Sequence, residues 1–173
     1  MSVISFFSSM DALTTQSYPL DLYLSHIQDG AFREQVEQAR QELNKDQPQS
    51  LPVVTLSGLF KINKEGLSLT QHSGFIALDV EGFQDLERGK VILSQDRYTY
   101  AVFENHSGKS LTALVRIAAC EHGQAYQALS AYYEGVYGII TDPMDQLVTK
   151  LRYVTYDPFL SGNPEAETFK VRI

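Results

Sequence analysis

Asp79 and Glu81 close the segment 74–81 (GFIALDVE), directly after an apolar run. In a strand, residues two apart share a face, so the two carboxylates project together while Ile76, Leu78 and Val80 pack on the opposite side. Like charges held side by side repel unless a proton or a cation sits between them. A divalent metal is one solution; the other is a strand that has emerged into solvent with both acids wet. Asp142-Pro143-Met144-Asp145 is a further acidic point. Asp at the N-cap, Pro at N1 and Asp at N3 are what the start of a helix over 143–149 uses, so capping accounts for these residues without a ligand. Between the two acidic points, 105–110 (NHSGKS) ends like a phosphate-binding P-loop. That loop needs a glycine five residues before Gly108, where Phe103 stands, so a Walker-type loop is excluded. There remains a Ser107-Gly108-Lys109 turn whose amides and ammonium could hold a phosphate, or an exposed hairpin turn. Arg116, Lys150 and Arg152 fall on expected strands or their ends, as phosphate contacts or as snorkelling side chains.

The histidines His26, His72, His106 and His122 show no H-x-x-x-H spacing and no pairing with Cys120 suited to zinc. Cys120 has no CxxC partner, and a packed, inert thiol is expected. The nine Phe and ten Tyr are spread over strands and one helix, where core or rim packing is the default and a base-stacking platform the minority reading.

The elements that must position these residues follow from periodicity. Leu20, Tyr23, Leu24 and Ile27 after Pro19 mark a short helix stopped at Asp29-Gly30, and Phe32, Val36, Ala39 and Leu43 mark one face of a second. The polar stretch 44–50 (NKDQPQS) connects this helical preface, 19–45, to a sheet-rich core, 51–160. Strands are expected at 52–57, 74–80, 98–103 and 111–117, a helix through Tyr126, Leu129, Tyr133 and Val136 ending at Gly138, and a last strand at 151–155. One long helix among the strands points to an α+β domain with a mostly antiparallel sheet rather than a doubly wound fold.

The chain has 173 residues, 43% hydrophobic and 20% charged, which fits one globular domain with its own core. Fourteen Lys and Arg against 21 Asp and Glu give a formal charge of −7, which opposes charge-driven coating of DNA and confines any nucleic-acid contact to a local patch. A single cysteine excludes an intramolecular disulfide and a thiolate-rich zinc site. No apolar run reaches the ~20 residues of a membrane span, and the first ten residues lack the basic start and length of a signal peptide, so a cytoplasmic protein without membrane association is expected.

Taken in order, 52–60 (PVVTLSGLF), 74–83 (GFIALDVEGF), 101–116 (AVFENHSGKSLTALVR), 122–133 (HGQAYQALSAYY) and 142–158 (DPMDQLVTKLRYVTYDP) resemble the VirE-type N-terminal domain that leads primase/helicase-like proteins of mobile elements and phages. The likeness runs from about Leu20 to Pro164 and lies in the ordered series of segments. That family in turn resembles the core of the archaeo-eukaryotic primase (primase-polymerase) superfamily, which implies an RRM-like antiparallel sheet with flanking helices. By the same resemblance Asp79 and Glu81 match the acidic pair, Ser107-Gly108-Lys109 the start of the loop motif, Asp142 the later acid, and Lys150 or Arg152 a basic position. It implies that the three acids hold two Mg²⁺ or Mn²⁺ ions for nucleotidyl transfer, with Ser107, Lys109, Arg116, Lys150 and Arg152 at phosphates. The implied partners are nucleotides, single-stranded or primed nucleic acid, and a helicase or other replication protein. Ser110 and Thr112 stand where the superfamily has a second glycine and a phosphate-contacting histidine. A lost contact worth ~2.7 kcal/mol in the transition state is a hundredfold in rate, so a catalytically inactive binding module on the same fold is the alternative.

Overall fold

The structure is a computed structural model, and it describes residues 1–42 and 47–172. Leu43, residues 44–46 of the expected connector and the side chain of Cys120 lie outside the described residues.

The chain opens with two strands, β1 (Val3–Phe7) and β2 (Gln16–Pro19), followed by the helices α1 (Leu20–Asp29) and α2 (Arg33–Arg40). Next come β3 (Val53–Thr55), the hairpin β4 (Gly58–Asn63) and β5 (Gly66–His72), and β6 (Phe75–Glu81). Helix α3 (Leu86–Ser94) precedes the hairpin β7 (Thr99–Glu104) and β8 (Leu111–Arg116). Helix α4 (His122–Tyr137) leads to β9 (Ile140–Thr141), a 3-10 turn over Pro143–Gln146, β10 (Arg152–Tyr153) and β11 (Ser161–Gly162).

The fold is α+β, with every strand pair antiparallel. A five-stranded sheet in the order β11-β7-β8-β6-β9 forms the centre, and a four-stranded sheet β10-β3-β1-β2 lies beside it. The central sheet is covered on both faces. Phe75, Ala77, Ala101, Phe103 and Leu114 join α1, α2 and the smaller sheet in one core, while Ile76, Leu78, Val80, Val102 and Val115 face Leu93 of α3 and Ala125, Leu129 and Tyr133 of α4 in a second. Strand β6 is therefore apolar on both sides until Asp79, the pattern of a central strand with cover on each face.

The helices end as their residues dictate. Gly138 takes the left-handed conformation (φ 67°) that closes α4, its N–H donating to the Glu134 carbonyl. Gly89 sits inside α3 because a Cβ there would come within 2.6 Å of the Phe83 ring. Among the described residues no helix is long and apolar enough to cross a membrane.

Several expectations change. The two helices precede the central sheet but do not open the fold: β1 and β2 come before them, β1 pairing with β3 and β2 with β1, so the segment is part of a sheet-containing layer. A second helix, α3, separates β6 from β7. The helix expected over 143–149 is a four-residue 3-10 turn, because Leu147 turns extended (φ −83°, ψ 119°) and breaks the helical register. The strand expected over 151–155 is the two-residue β10.

Candidate functional site

Asp79 lies near the end of β6, opposite Thr112 on β8, which in turn lies opposite Phe103 on β7. The side chains of this row share the face toward the smaller sheet. Asp79 also anchors the segment that follows β9. Its carbonyl accepts from the Asp142 N–H (3.0 Å), and its own N–H donates to Asp145 Oδ2 (2.7 Å). The 3-10 turn is thus fastened to the backbone of the very residue whose side chain forms the site. Asp142 is its N-cap, accepting from the Met144 N–H at 3.0 Å, with Pro143 at the first helical position.

Asp79, Asp142 and Asp145 each offer one carboxylate oxygen, and these oxygens lie within 4.8 Å of one another. Asp145 is fully buried, Asp79 mostly so, and Asp142 forms the open edge. The Lys150 ammonium donates to Asp79 Oδ2 (2.7 Å), to Asp142 Oδ2 (3.0 Å) and to Asp145 Oδ1. Arg152, on β10, donates to Asp145 and to the Ala77 carbonyl (2.8 Å), with its Nε 3.6 Å from Asp79 Oδ1. The Thr112 hydroxyl donates to Asp79 Oδ1 at 2.9 Å.

Three carboxylates against two cations leave one negative charge in a largely buried group. The carboxyls respond differently. Burial opposes ionisation of Asp79, but the charges of Arg152 and Lys150 outweigh it and hold the group below its ordinary range. Asp142 is likewise lowered: burial is outweighed by the Met144 amide and Lys150. Asp145 is pushed up to about 6, burial prevailing over the Arg152 charge while Asp79 adds repulsion.

The group stands at the mouth of a cleft of about 180 Å³ between the two sheets. Tyr23, Phe103, Asn105, His106, Tyr153 and Thr155 line it. The His106 and Tyr153 rings pack on each other beside the acids, with centroids 4.6 Å apart.

Behind Asp145 runs a chain of two histidines. The Gly74 N–H donates to His72 Nδ1 (2.9 Å), which leaves the proton of a neutral ring on Nε2, facing His122 Nδ1 at 3.0 Å. His122 Nε2 then donates to the Asp145 carbonyl at 3.3 Å. This arrangement needs both rings neutral. Burial, reinforced by His122, lowers His72 to about 4, and burial lowers His122 despite its bond to Asp145. A base depressed in the folded state stabilises above its unfolded pKa of about 6.5, and that stability is lost as pH falls through the folded value near 4. Asp145, raised, acts with the opposite sign between pH 4 and 6, so the histidine contribution is read from a variant. His72→Gln should flatten the decline in urea-unfolding stability between pH 6.5 and 4 by on the order of 1 kcal/mol, discounted because the ring is only partly buried. An identical pH profile in both proteins would dismiss the histidine chain as a stability element.

The sequence-derived candidates divide. Asp79 and Asp142 meet, with Lys150 and Arg152 on them. Glu81 is not part of the group: it is exposed, two residues or about 6.6 Å further along the strand. Asp145, read from sequence only as the first-turn acid of a capped helix start, takes the third place. Arg116 lies toward the other end of β8, four residues or about 13 Å from Thr112, with its guanidinium over the Phe75 and Tyr100 rings and donating to the Ala166 carbonyl. Ser107 spends its hydroxyl on Asn105 Oδ1 (2.7 Å), and the Gly108 and Lys109 amides donate to the Asn105 carbonyl and Ser107 Oγ. The 105–110 segment is a hairpin turn stapled internally and tied to α2 through Arg40, whose Nε donates to the His106 carbonyl at 2.9 Å. It contributes Asn105 and His106 to the cleft, not Ser107 or Lys109.

Hard carboxylate oxygens from three side chains suit Mg²⁺ or Mn²⁺, and the lodged ammonium shows that the oxygens already converge on one cationic point. The donor set fits one ion. A two-ion arrangement through Asp79, Glu81 and Asp142 is not what these residues form. Such an ion would be held by Asp79, Asp142 and Asp145.

No curated protein and no solved structure matches the chain. The family profile of the BT4734-like N-terminal domain matches residues 46–160, a span that contains β3 to β10, with the three aspartates, Lys150 and Arg152. The chain therefore belongs to the family of BT4734-like N-terminal domains.

Proposed function

We propose that this domain is a divergent primase-polymerase-like module of mobile-element or phage replication proteins, akin to the VirE-type domains its sequence resembles, which binds nucleotide and nucleic acid with one divalent ion. The observation that supports this reading is the meeting of Asp79, Asp142 and Asp145 at one point beside a cleft walled by the His106 and Tyr153 rings. A bound Mg²⁺ or Mn²⁺ would supply charge neutralisation and Lewis acidity toward phosphate oxygens. The chain's own groups prepare that contact. Thr112 fixes the Asp79 carboxylate, the Asp142 cap fixes the turn, and Arg152 adds a cation at the inner wall. The ring faces suit stacking by a base, which needs no particular sequence. An acidic chain can accept phosphate in this way because a metal, and not its net charge, meets the phosphate.

A second reading, a catalytically inactive module that recruits nucleic acid or a replication partner, is favoured by one observation. Thr112 commits its hydroxyl to Asp79, so the position offers no cation to a triphosphate. Two assays on intact and Asp79→Asn protein separate the readings: Mn²⁺-dependent nucleotide binding, and extension of a labelled primer. Binding and extension that both disappear in Asp79→Asn support the enzyme, and binding without extension supports the module. Nucleotide binding that ignores both Mn²⁺ and the substitution overturns the site.

A further inference from the structure

We propose that Lys150 is a built-in competitor for the divalent ion: its ammonium occupies the point defined by the three carboxylates, and an ion enters only when Lys150 has withdrawn. The inference rests on the metal-binding part of the function proposed above.

The ammonium takes one oxygen from each of Asp79, Asp142 and Asp145. These are the residues whose oxygens lie within 4.8 Å of one another, a spacing suited to opposite ligands around a small dication with metal–oxygen distances of roughly 2.1–2.4 Å. Ion and ammonium therefore seek the same oxygens, and both cannot hold them. Charge points the same way. With Lys150 and Arg152 in place the carboxylates keep one uncompensated negative charge, too little for a dication; with Lys150 withdrawn they keep two, which a dication cancels.

The two cations differ in their freedom to leave. Arg152 belongs to β10, is paired with Val54 and is tied to the Ala77 carbonyl, so it stays. Lys150 lies outside regular structure, between the 3-10 turn and β10, so no strand pairing holds it, and its largely buried side chain borders the cleft, as that of Arg152 does. Rotation of its four-carbon stem can carry the ammonium into the cleft while the backbone stays where the Leu147 carbonyl holds it.

The test is a Mn²⁺ titration of the full chain, followed by the electron paramagnetic resonance of free Mn²⁺, in the wild type, Lys150→Met and Lys150→Arg. Lys150→Met is expected to bind at least tenfold more tightly than the wild type, and Lys150→Arg no more tightly. Equal or weaker binding by Lys150→Met overturns the competitor while leaving the metal site standing; no binding in any protein overturns both. Should Lys150→Met fail to fold by circular dichroism, the wild type decides through Mg²⁺ titration of the Lys150 side-chain nitrogen by NMR. The signal is expected to move toward that of a solvated ammonium. A Lys150 signal that stays fixed while the Asp79 amide shifts overturns the competitor, and stasis of both counts against the competitor and the metal site alike.

Discussion

Asp145→Ala is expected to lower the stability of the domain by about 3–5 kcal/mol, the cost of removing one partner from a buried ionic group. The side chain is fully buried and accepts from Lys150, from Arg152 and from the Asp79 N–H. Alanine leaves two cations facing two carboxylates and strands the Asp79 amide in the interior. It also loosens the 3-10 turn, which is held to β6 partly by that bond. For a chain of this length such a loss lowers the melting temperature by roughly 10 °C, measurable by calorimetry or urea unfolding. Asp145→Asn keeps the shape and should cost less. A loss below about 1 kcal/mol in Asp145→Ala would mean that the carboxylate is not the hub described here.

The second large effect lies at the same end of β7, where its last residue, Glu104, meets a buried ion pair. Lys90 of α3 and Asp157 are both buried, with Nζ 2.7 Å from Oδ2. The same oxygen accepts from the Glu104 N–H (2.9 Å), and Oδ1 accepts from the Phe159 N–H (2.9 Å). Asp157→Ala removes three acceptor contacts and leaves an ammonium whose remaining carboxylate, Glu87, is exposed at 3.7 Å. Lys90→Met leaves an ionised Asp157 with two amides. Each single change should cost about 3–5 kcal/mol, with Asp157→Ala the larger. The double variant Lys90→Met/Asp157→Leu, which removes both charges, should cost less than either. Urea unfolding of the four proteins checks this, and additive losses in the double variant would refute the coupling.

What the sequence disclosed about the site follows the physics of each signal. Asp79 was legible because an acid that ends a run apolar on both faces is a break in pattern. Asp142 was legible as a cap, and the structure gives the same carboxylate a second role at the cluster. Asp145 was not, since an acid three residues after an N-cap has a sufficient local explanation, and only the pairing of the turn with Asp79 turns it inward. Glu81 was favoured over it by strand alternation, which says which face a residue takes and nothing about where along that face the 3-10 turn is fastened. Lys150 and Arg152 were visible as bases near the acids, but that one would sit among three carboxylates depends on tertiary contacts alone.

The fold shows the same division. Helices α1 and α4 announced themselves by apolar spacing and by the glycines that stop them, Gly30 and Gly138. Helix α3 is short and interrupted by Gly89, whose presence is explained only by the Phe83 ring above it. Strands β1 and β2 carry no alternation strong enough to stand out, and they are set by pairing with each other and, for β1, by pairing with the distant β3. Histidines 72 and 122 lack any metal spacing, and their contact arises because β5 and the start of α4 meet behind Asp145.

Counting bound Mn²⁺ on the full chain, with Asp79→Asn and Glu81→Gln beside it, tests the central claim most directly. One ion per chain, lost in Asp79→Asn and retained in Glu81→Gln, is the result the geometry predicts. Binding that survives Asp79→Asn, or that depends equally on Glu81, would contradict it.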